Sequence, residues 1–214
     1  MMTILGTTFD VRRLKPEEVL LAQNLLYDVY IEEMQGGFKD ANPVGAHNII
    51  DAKGRRCLDD HYAKDAVWIG CIEAGRCIAC IQCVNAPDQD GLYQVEHYVD
   101  NLMAMNQQYA IDFTRAVFLG RFVVAKSKRQ TGLGLLIALK SLSFAKETQQ
   151  SVVALAFSKS IKRFHEHCCL MHEALDANFI YNPEPQNNCK RFSYLSHQDG
   201  SLDKAILHLK SLVD

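Results

Sequence analysis

No apolar run in this chain of 214 residues approaches the roughly 18 that a membrane-spanning helix needs. The first residues, Met1-Met2-Thr3-Ile4-Leu5, lack the charged leader and the length of a secretory signal, so a cytoplasmic location is expected. The net charge is only −2, which argues against a general nucleic-acid binder. No internal repeat, low-complexity tract or linker is present, and the length suits a single domain over residues 1–214. Both common phosphate loops, G-x-x-x-x-G-K-[ST] and G-x-G-x-x-G, are missing. One further absence is local. From Phe113 to Lys146 there is no Asp or Glu, while Arg115, Arg121, Lys126, Lys128, Arg129, Lys140 and Lys146 are cationic. In a slightly acidic protein this stretch reads as a local positive field.

The same stretch is the best organised part of the chain. Phe122-Val123-Val124 is an apolar, β-branched run suited to a buried strand. Lys126 to Thr131 is polar and basic, a loop. From Gly132 onward, Leu135, Leu136, Leu139, Leu142 and Ala145 recur at helical spacing. Arg129-x-x-Gly132-x-Gly134 therefore places two residues without a Cβ where a helix begins. Backbone can approach a ligand there, and the first-turn N–H groups lack intrahelical partners. Those donors, the positive helix end and the cations suit a phosphate or pyrophosphate. An unrelated tight turn is the plainer alternative.

The turn resembles the R/Q-x-x-G-x-G/A motif of the GNAT superfamily of N-acyltransferases. That resemblance implies that Arg129, Gln130, Thr131, Gly132, Leu133 and Gly134 hold the pyrophosphate of coenzyme A, or the phosphopantetheine of an acyl carrier protein. It also implies that backbone near Phe122, Val123 and Val124 pairs with the pantetheine arm or polarises the thioester carbonyl. The implied substrates are acyl-coenzyme A, acetyl-coenzyme A or an acyl carrier protein, and a small-molecule amine. Tyr27-Asp28-Val29-Tyr30-Ile31-Glu32-Glu33 is similar to a segment of acyl-homoserine-lactone synthases and long-chain N-acyl amino acid synthases. Those branches often carry a Glu three residues before the Arg of the fourth strand. Here that place is Phe118 before Arg121, which puts homoserine-lactone synthesis itself in doubt.

The remaining elements fit such a fold. Phe9–Leu14 reads as a first strand, and Pro16-Glu17-Glu18 opens a helix to about Met34, ended by Gly36-Gly37. Residues 38–64 read as a long loop with at most a short helix, and Asp59, Asp60 and His61 are its polar candidates for enclosing substrate. Residues 66–84 form a hairpin, 92–110 have a helical pattern, and Val117–Ala125 is the fourth strand. Ser151–Phe157 is the fifth, and Ser158 caps a helix running to about Asp176. Phe179–Asn182 and Arg191–Ser196, joined across Pro183 to Asn188, read as the last strands, and Ser201–Val213 as an added C-terminal helix. The expected class is α/β (α+β): a mixed, mostly antiparallel sheet flanked by helices on both faces. Whether two copies pair as a homodimer is left open.

Cys77-x-x-Cys80-x-x-Cys83, with Cys71 upstream, has part of an iron–sulfur spacing. On a strand, neighbours three apart point to opposite faces, so buried free thiols are the simpler reading. His165, Cys168, Cys169 and His172 have a zinc-like helical spacing, but that helix must also pack on the sheet, and no metal is expected. For proton transfer, the family's usual Tyr is missing in its register, where Ala174 stands. His165, or His172 on the same predicted helix face, is the candidate acid. Glu96, beside His97, is the candidate base. The competing reading is a GNAT-fold module that binds an acyl-thioester or a partner protein without turnover. A third is a structural protein whose basic stretch docks an acidic partner.

Overall fold

The computed structural model describes residues 1–4, 6–34, 45–87, 91, 93–109, 111–112, 115–181 and 189–214. A seven-stranded sheet forms the centre. Its strands are β3 (Val11–Arg13), β6 (Val67–Glu73), β7 (Arg76–Val84), β8 (Ala116–Val124), β9 (Ser151–Ala156), β10 (His172–Ala174) and β11 (Arg191–Leu195). They lie in the order β10-β11-β9-β8-β7-β6-β3. The β8–β9 pair is parallel and all the others are antiparallel.

Each face of the sheet is covered. On one face lies α1 (Val19–Tyr27), entered through a 3₁₀ turn at Pro16–Glu18 and continued by a π-helical turn at Asp28–Glu33. Leu25, Leu26 and Tyr27 pack there with Tyr62, Trp68 and Met105, the last from α2 (Leu102–Tyr109). On the other face α3 (Leu133–Glu147) buries Leu136, Ile137, Leu139 and Leu142, and α5 (Ser201–Val213) adds Leu202, Ile206 and Leu209. Each such side chain contributes about 1.5–3 kcal/mol, so the apolar faces of these two helices hold them on the sheet. No helix among the described residues is long and apolar enough to cross a membrane.

Several expectations need correction. Residues 45–64 are not a long loop: β4 (His47–Ile50) and β5 (Arg56–Asp59) form a separate hairpin. It docks on α1 through Gln23 Nε2 to Asp59 Oδ1 and Asn24 Nδ2 to the Arg56 carbonyl. A further hairpin, β1 (Met2–Ile4) with β2 (Thr7–Phe9), precedes the first sheet strand, which is shorter than expected. The helix after β9 is also shorter than expected. Ser158 caps α4 (Lys159–Arg163) by accepting from the Ile161 N–H, and a π-helical turn follows at Phe164–Cys168. Left-handed Leu170 (φ +49°) then turns the chain into β10. Residues 179–181 form no sheet strand. Val99 bridges Phe179, and Ile180 N–H donates to the Tyr98 carbonyl. The helix end at Gly36-Gly37 and the connection at 183–188 lie outside the described residues.

The cysteine hairpin is present, with one difference. A shift of pairing between Cys71 and Ile72 gives β7 an extra residue at Ile78. That puts Cys77 and Cys80 on the same face and Cys83 on the other. All three are buried, and desolvation raises the pKa of Cys80 and Cys83.

Candidate active site

The site begins where two parallel strands part. β8 and β9 pair from Ala116 opposite Ser151 to Leu119 opposite Ala154, and no further. Beyond that point β8 stays with β7 as far as Val124, while β9 follows β11 to Ala156. A cavity of about 520 Å³ fills the gap and runs through the sheet. Val29, Tyr30 and Tyr98 line it on the α1 side, and Ala138, Leu142 and Met171 on the α3 side. A mostly apolar cavity with a few polar groups is the usual form of a small-molecule site.

The β8 wall contains a bulge. Cys80 pairs with Val123 and Gln82 with Gly120, so Arg121 and Phe122 together oppose Ile81. Arg121 has φ +53°, a left-handed conformation at the bulge. The bulge changes the alternation. Gly120 and Arg121 both face the α1 side, Phe122 the α3 side and Val123 the α1 side again. Regular pleating would have turned Arg121 toward α3. Instead its Nε donates to Asp60 Oδ2 at 2.8 Å, with both side chains almost fully buried. Burial works against the guanidinium charge, and the Asp60 carboxylate more than restores it, so the pKa of Arg121 is raised. Asp60 Oδ1 also accepts from the Tyr62 N–H at 3.0 Å and from Gln82 Nε2 at 3.2 Å.

The predicted phosphate loop follows a 3₁₀ turn at Lys126–Lys128, with α3 beginning at Leu133. Among the described residues, none of the N–H groups of residues 130–134 donates to a protein acceptor; the first such donors are Leu135 and Leu136, both to the Gly132 carbonyl. Gly132 is required twice over. Its φ is +80°, and an added Cβ would fall 2.2 Å from Ile4 Cδ1. Gly134 is less constrained, because a Cβ there would meet Phe122 Cζ at 3.4 Å. That contact leaves room for the alanine that the motif also admits.

The positive field is weaker than local sequence suggested. Of the seven cations between Arg115 and Lys146, four pair with carboxylates among the described residues: Arg121 with Asp60, Lys128 with Glu73, Arg129 with Glu33 and Lys146 with Asp203. Arg129 forms a two-pronged pair with the Glu33 carboxylate, and its Nε donates to the Val124 carbonyl at 3.1 Å. It ties the end of β8 to the π-helical turn after α1, so its charge is shared with Glu33.

Of the predicted proton carriers, His165 lines the cavity and the other two do not. His165 is 8% exposed, and burial, followed by the Arg191 charge, pushes its pKa down to about 4. It is therefore neutral at pH 7. Ser193 Oγ accepts from Arg191 Nε at 3.0 Å and stands 3.2 Å from His165 Nδ1. His172 lies exposed on edge strand β10 beside the Tyr194 ring, not on a helix face shared with His165. The Glu96 carboxylate accepts from the Tyr93 N–H at 2.6 Å and so caps its own 3₁₀ turn.

Sequence reasoning missed Gln82, Gln94 and Tyr98 as site residues and named Asp60 only among polar loop candidates. Gln94 and Tyr98 line the cavity. Tyr98 is buried, and desolvation holds its phenol pKa above the ordinary value. Lone polar residues in apolar stretches were the only local signal, and no spacing links them.

No family model and no curated protein matches the chain. Solved structures do. The coenzyme-A-dependent acyl-homoserine lactone synthase MesI has TM-score 0.61 at 11% identity, covering 94% of this chain and 94% of its own. The synthase BjaI, solved with SAM and isopentyl-CoA, has TM-score 0.60 at 14% identity, covering 95% and 90%. FeeM, an N-acyl amino acid synthase from uncultured soil microbes, has TM-score 0.59 at 13% identity, covering 95% and 98%. At these identities the likeness is one of fold. The chain has the GNAT N-acyltransferase fold, as the Arg129–Gly134 motif implied.

Proposed function

We propose that the chain is an N-acyltransferase. It takes an acyl group from acyl-coenzyme A, or from the phosphopantetheine of an acyl carrier protein, and passes it to the amine of a small molecule, with amino acids among the candidate acceptors. The observation that carries this reading is the cavity in the parted β8–β9 pair, which reaches Arg129, next in the chain to the amides of residues 130–134 that have no acceptor among the described residues. Amides of Gln130 to Gly134 and the positive end of α3 receive the pyrophosphate. Phe122, Val123 and Val124, which β9 leaves without a neighbour, receive the pantetheine arm. The apolar α3 side receives the acyl chain. The names of the fold neighbours, coenzyme-A-dependent synthases and an N-acyl amino acid synthase, support the same class.

The cavity's proton carriers narrow the chemistry. Tyr98 stays protonated, so its phenol offers a hydrogen bond to the thioester or the leaving sulfur, and His165 stays neutral beside it. Neither is a base near neutrality, so the acceptor loses its proton to water. His172 and Glu96, outside the cavity, have no part in this reading. The test is calorimetric titration with octanoyl-coenzyme A, followed by thiol release in the presence of amines. Binding with amine-dependent release supports the acyltransferase. Binding without release supports a thioester-binding module, and absence of binding to octanoyl-coenzyme A and to octanoyl-loaded acyl carrier protein alike refutes both.

A further inference from the structure

Behind the cavity wall a buried cation is bonded toward His165. Arg191 of β11 is 4% exposed, and each of its three guanidinium nitrogens has a partner. Nη1 donates to Glu173 Oε2 at 2.9 Å, Nη2 to the Met171 carbonyl at 2.7 Å and Nε to Ser193 Oγ at 3.0 Å. Ser193 is fully buried, and the same oxygen meets His165 Nδ1 at 3.2 Å. The Met171 N–H in turn donates to the His165 carbonyl at 2.9 Å. Arg191 thus reaches both the ring and the backbone of His165, each through one intermediary. The other ring nitrogen, Nε2, has no hydrogen-bond partner among the described residues but keeps accessible surface, and His165 lines the cavity. A buried ion pair stabilises a fold little more than well-packed apolar side chains do, so stability alone does not account for a cation at this place.

We infer that Arg191 is a positioning residue: through the Ser193 hydroxyl it fixes the His165 ring by its Nδ1 edge, turns Nε2 to the bound acyl-thioester and sets a positive charge behind the ring. Only the identity of the ligand rests on the acyltransferase reading. Burial and that charge both oppose protonation, so the thioester meets a neutral imidazole through the mildly acid range. A charged ring would draw water and a counter-ion into an apolar cavity and weaken donor binding. Of the ionisable groups around the ring, Glu173 of β10 would favour the charged form, and its pair with Arg191 cancels that pull. Lys162 of α4 stands 3.8 Å from Glu173. Cys169, just after the turn, keeps its thiol proton because burial raises its pKa. Glu166 and His167 are exposed on the same turn, with His208 of α5 on the His167 carbonyl. Helix α3 brings only Ser141 and apolar groups to the cavity.

The test joins ring titration to donor binding in the full chain. Proton NMR of wild type, with the His165 signal assigned by its loss in His165→Gln, should show a neutral ring at about pH 5. In Arg191→Gln the same signal should titrate at higher pH, toward the ordinary 6.5. Octanoyl-coenzyme A affinity of that variant is read as a ratio to wild type, which cancels the titration of the cofactor itself. The ratio should be at least about threefold lower near pH 5 than near pH 7.5. Ser193→Ala keeps the charge and frees the ring, so its affinity should fall by the same factor at both pH values. Arg191→Gln/Glu173→Gln leaves neither charge of the pair buried alone and replaces the single variant if that one does not fold; its His165 should also titrate above wild type. A His165 titration equal in wild type and variants, or an affinity ratio that does not change with pH, would show that Arg191 merely holds the turn and would overturn the inference. If wild type binds no acyl-thioester, the acyltransferase reading falls separately, and the ring titration still decides whether Arg191 controls His165.

Discussion

Cutting the Asp60–Arg121 pair asks whether charge holds the bulge of β8. Asp60→Ala leaves a guanidinium buried without its carboxylate and also removes the acceptor used by Gln82 Nε2 and the Tyr62 N–H. Removing one partner of a buried pair costs about 3–5 kcal/mol. Left-handed Arg121 carries about 1 kcal/mol of strain, and its relaxation on loss of the partner offsets part of that cost. In a chain of this size each kcal/mol moves the thermal midpoint by about 2–4 °C, so Asp60→Ala should melt roughly 10 °C below wild type. The double variant Asp60→Ala/Arg121→Met removes the orphaned charge and should recover most of that loss. Thermal and urea unfolding of wild type, both single variants and the double variant give the coupling energy directly. A cost for Asp60→Ala below about 1 kcal/mol, or a coupling near zero, would refute the claim that this pair aims Arg121.

Four further outcomes follow from other parts of the site. Gly132→Ala should destabilise by about 2 kcal/mol, from its left-handed backbone and the displaced Ile4, and weaken coenzyme A binding. Gly134→Ala should be neutral or stabilise by up to about 1 kcal/mol, since alanine favours the helix; equal effects in a melting assay would contradict the geometry. His165 has a folded pKa of about 4 against an ordinary 6.5. Between those values the unfolded chain takes up a proton that the folded one refuses, so stability present above pH 6.5 is lost as pH falls toward 4, by about 3 kcal/mol in all. Denaturant midpoints of His165→Gln should lack that acid slope. Glu33→Gln removes a negative charge beside the amides of residues 130–134 and frees Arg129. Coenzyme A affinity should rise about threefold to tenfold at low salt and less at high salt; a calorimetric decrease would mean that the pair is needed to shape the loop.

Elements with a strong local signature were legible in the sequence. The β8–loop–α3 unit, the cysteine hairpin, β9 and α5 all lie within a residue or two of where periodicity placed them. The β4–β5 hairpin was not legible, because His47–Ile50 and Arg56–Asp59 lack strong alternation and gain stability by docking on α1. The helix after β9 was overextended, because nothing in its apolar pattern announces the left-handed turn at Leu170.

For the site the division is similar. The glycine pattern of residues 129–134 was legible in the sequence, whereas the packing of Ile4 that, with the left-handed backbone, demands glycine at 132 is tertiary. Only the tertiary structure decided the charges and the proton carriers. Asp60, Glu73, Glu33 and Asp203 reach the basic stretch from distant parts of the chain, so a positive field counted along the sequence is half neutralised in space. Burial then takes His165 out of the range in which a histidine titrates near neutrality. Charge pairing and desolvation depend on distances across the fold, and neither is encoded in residue spacing.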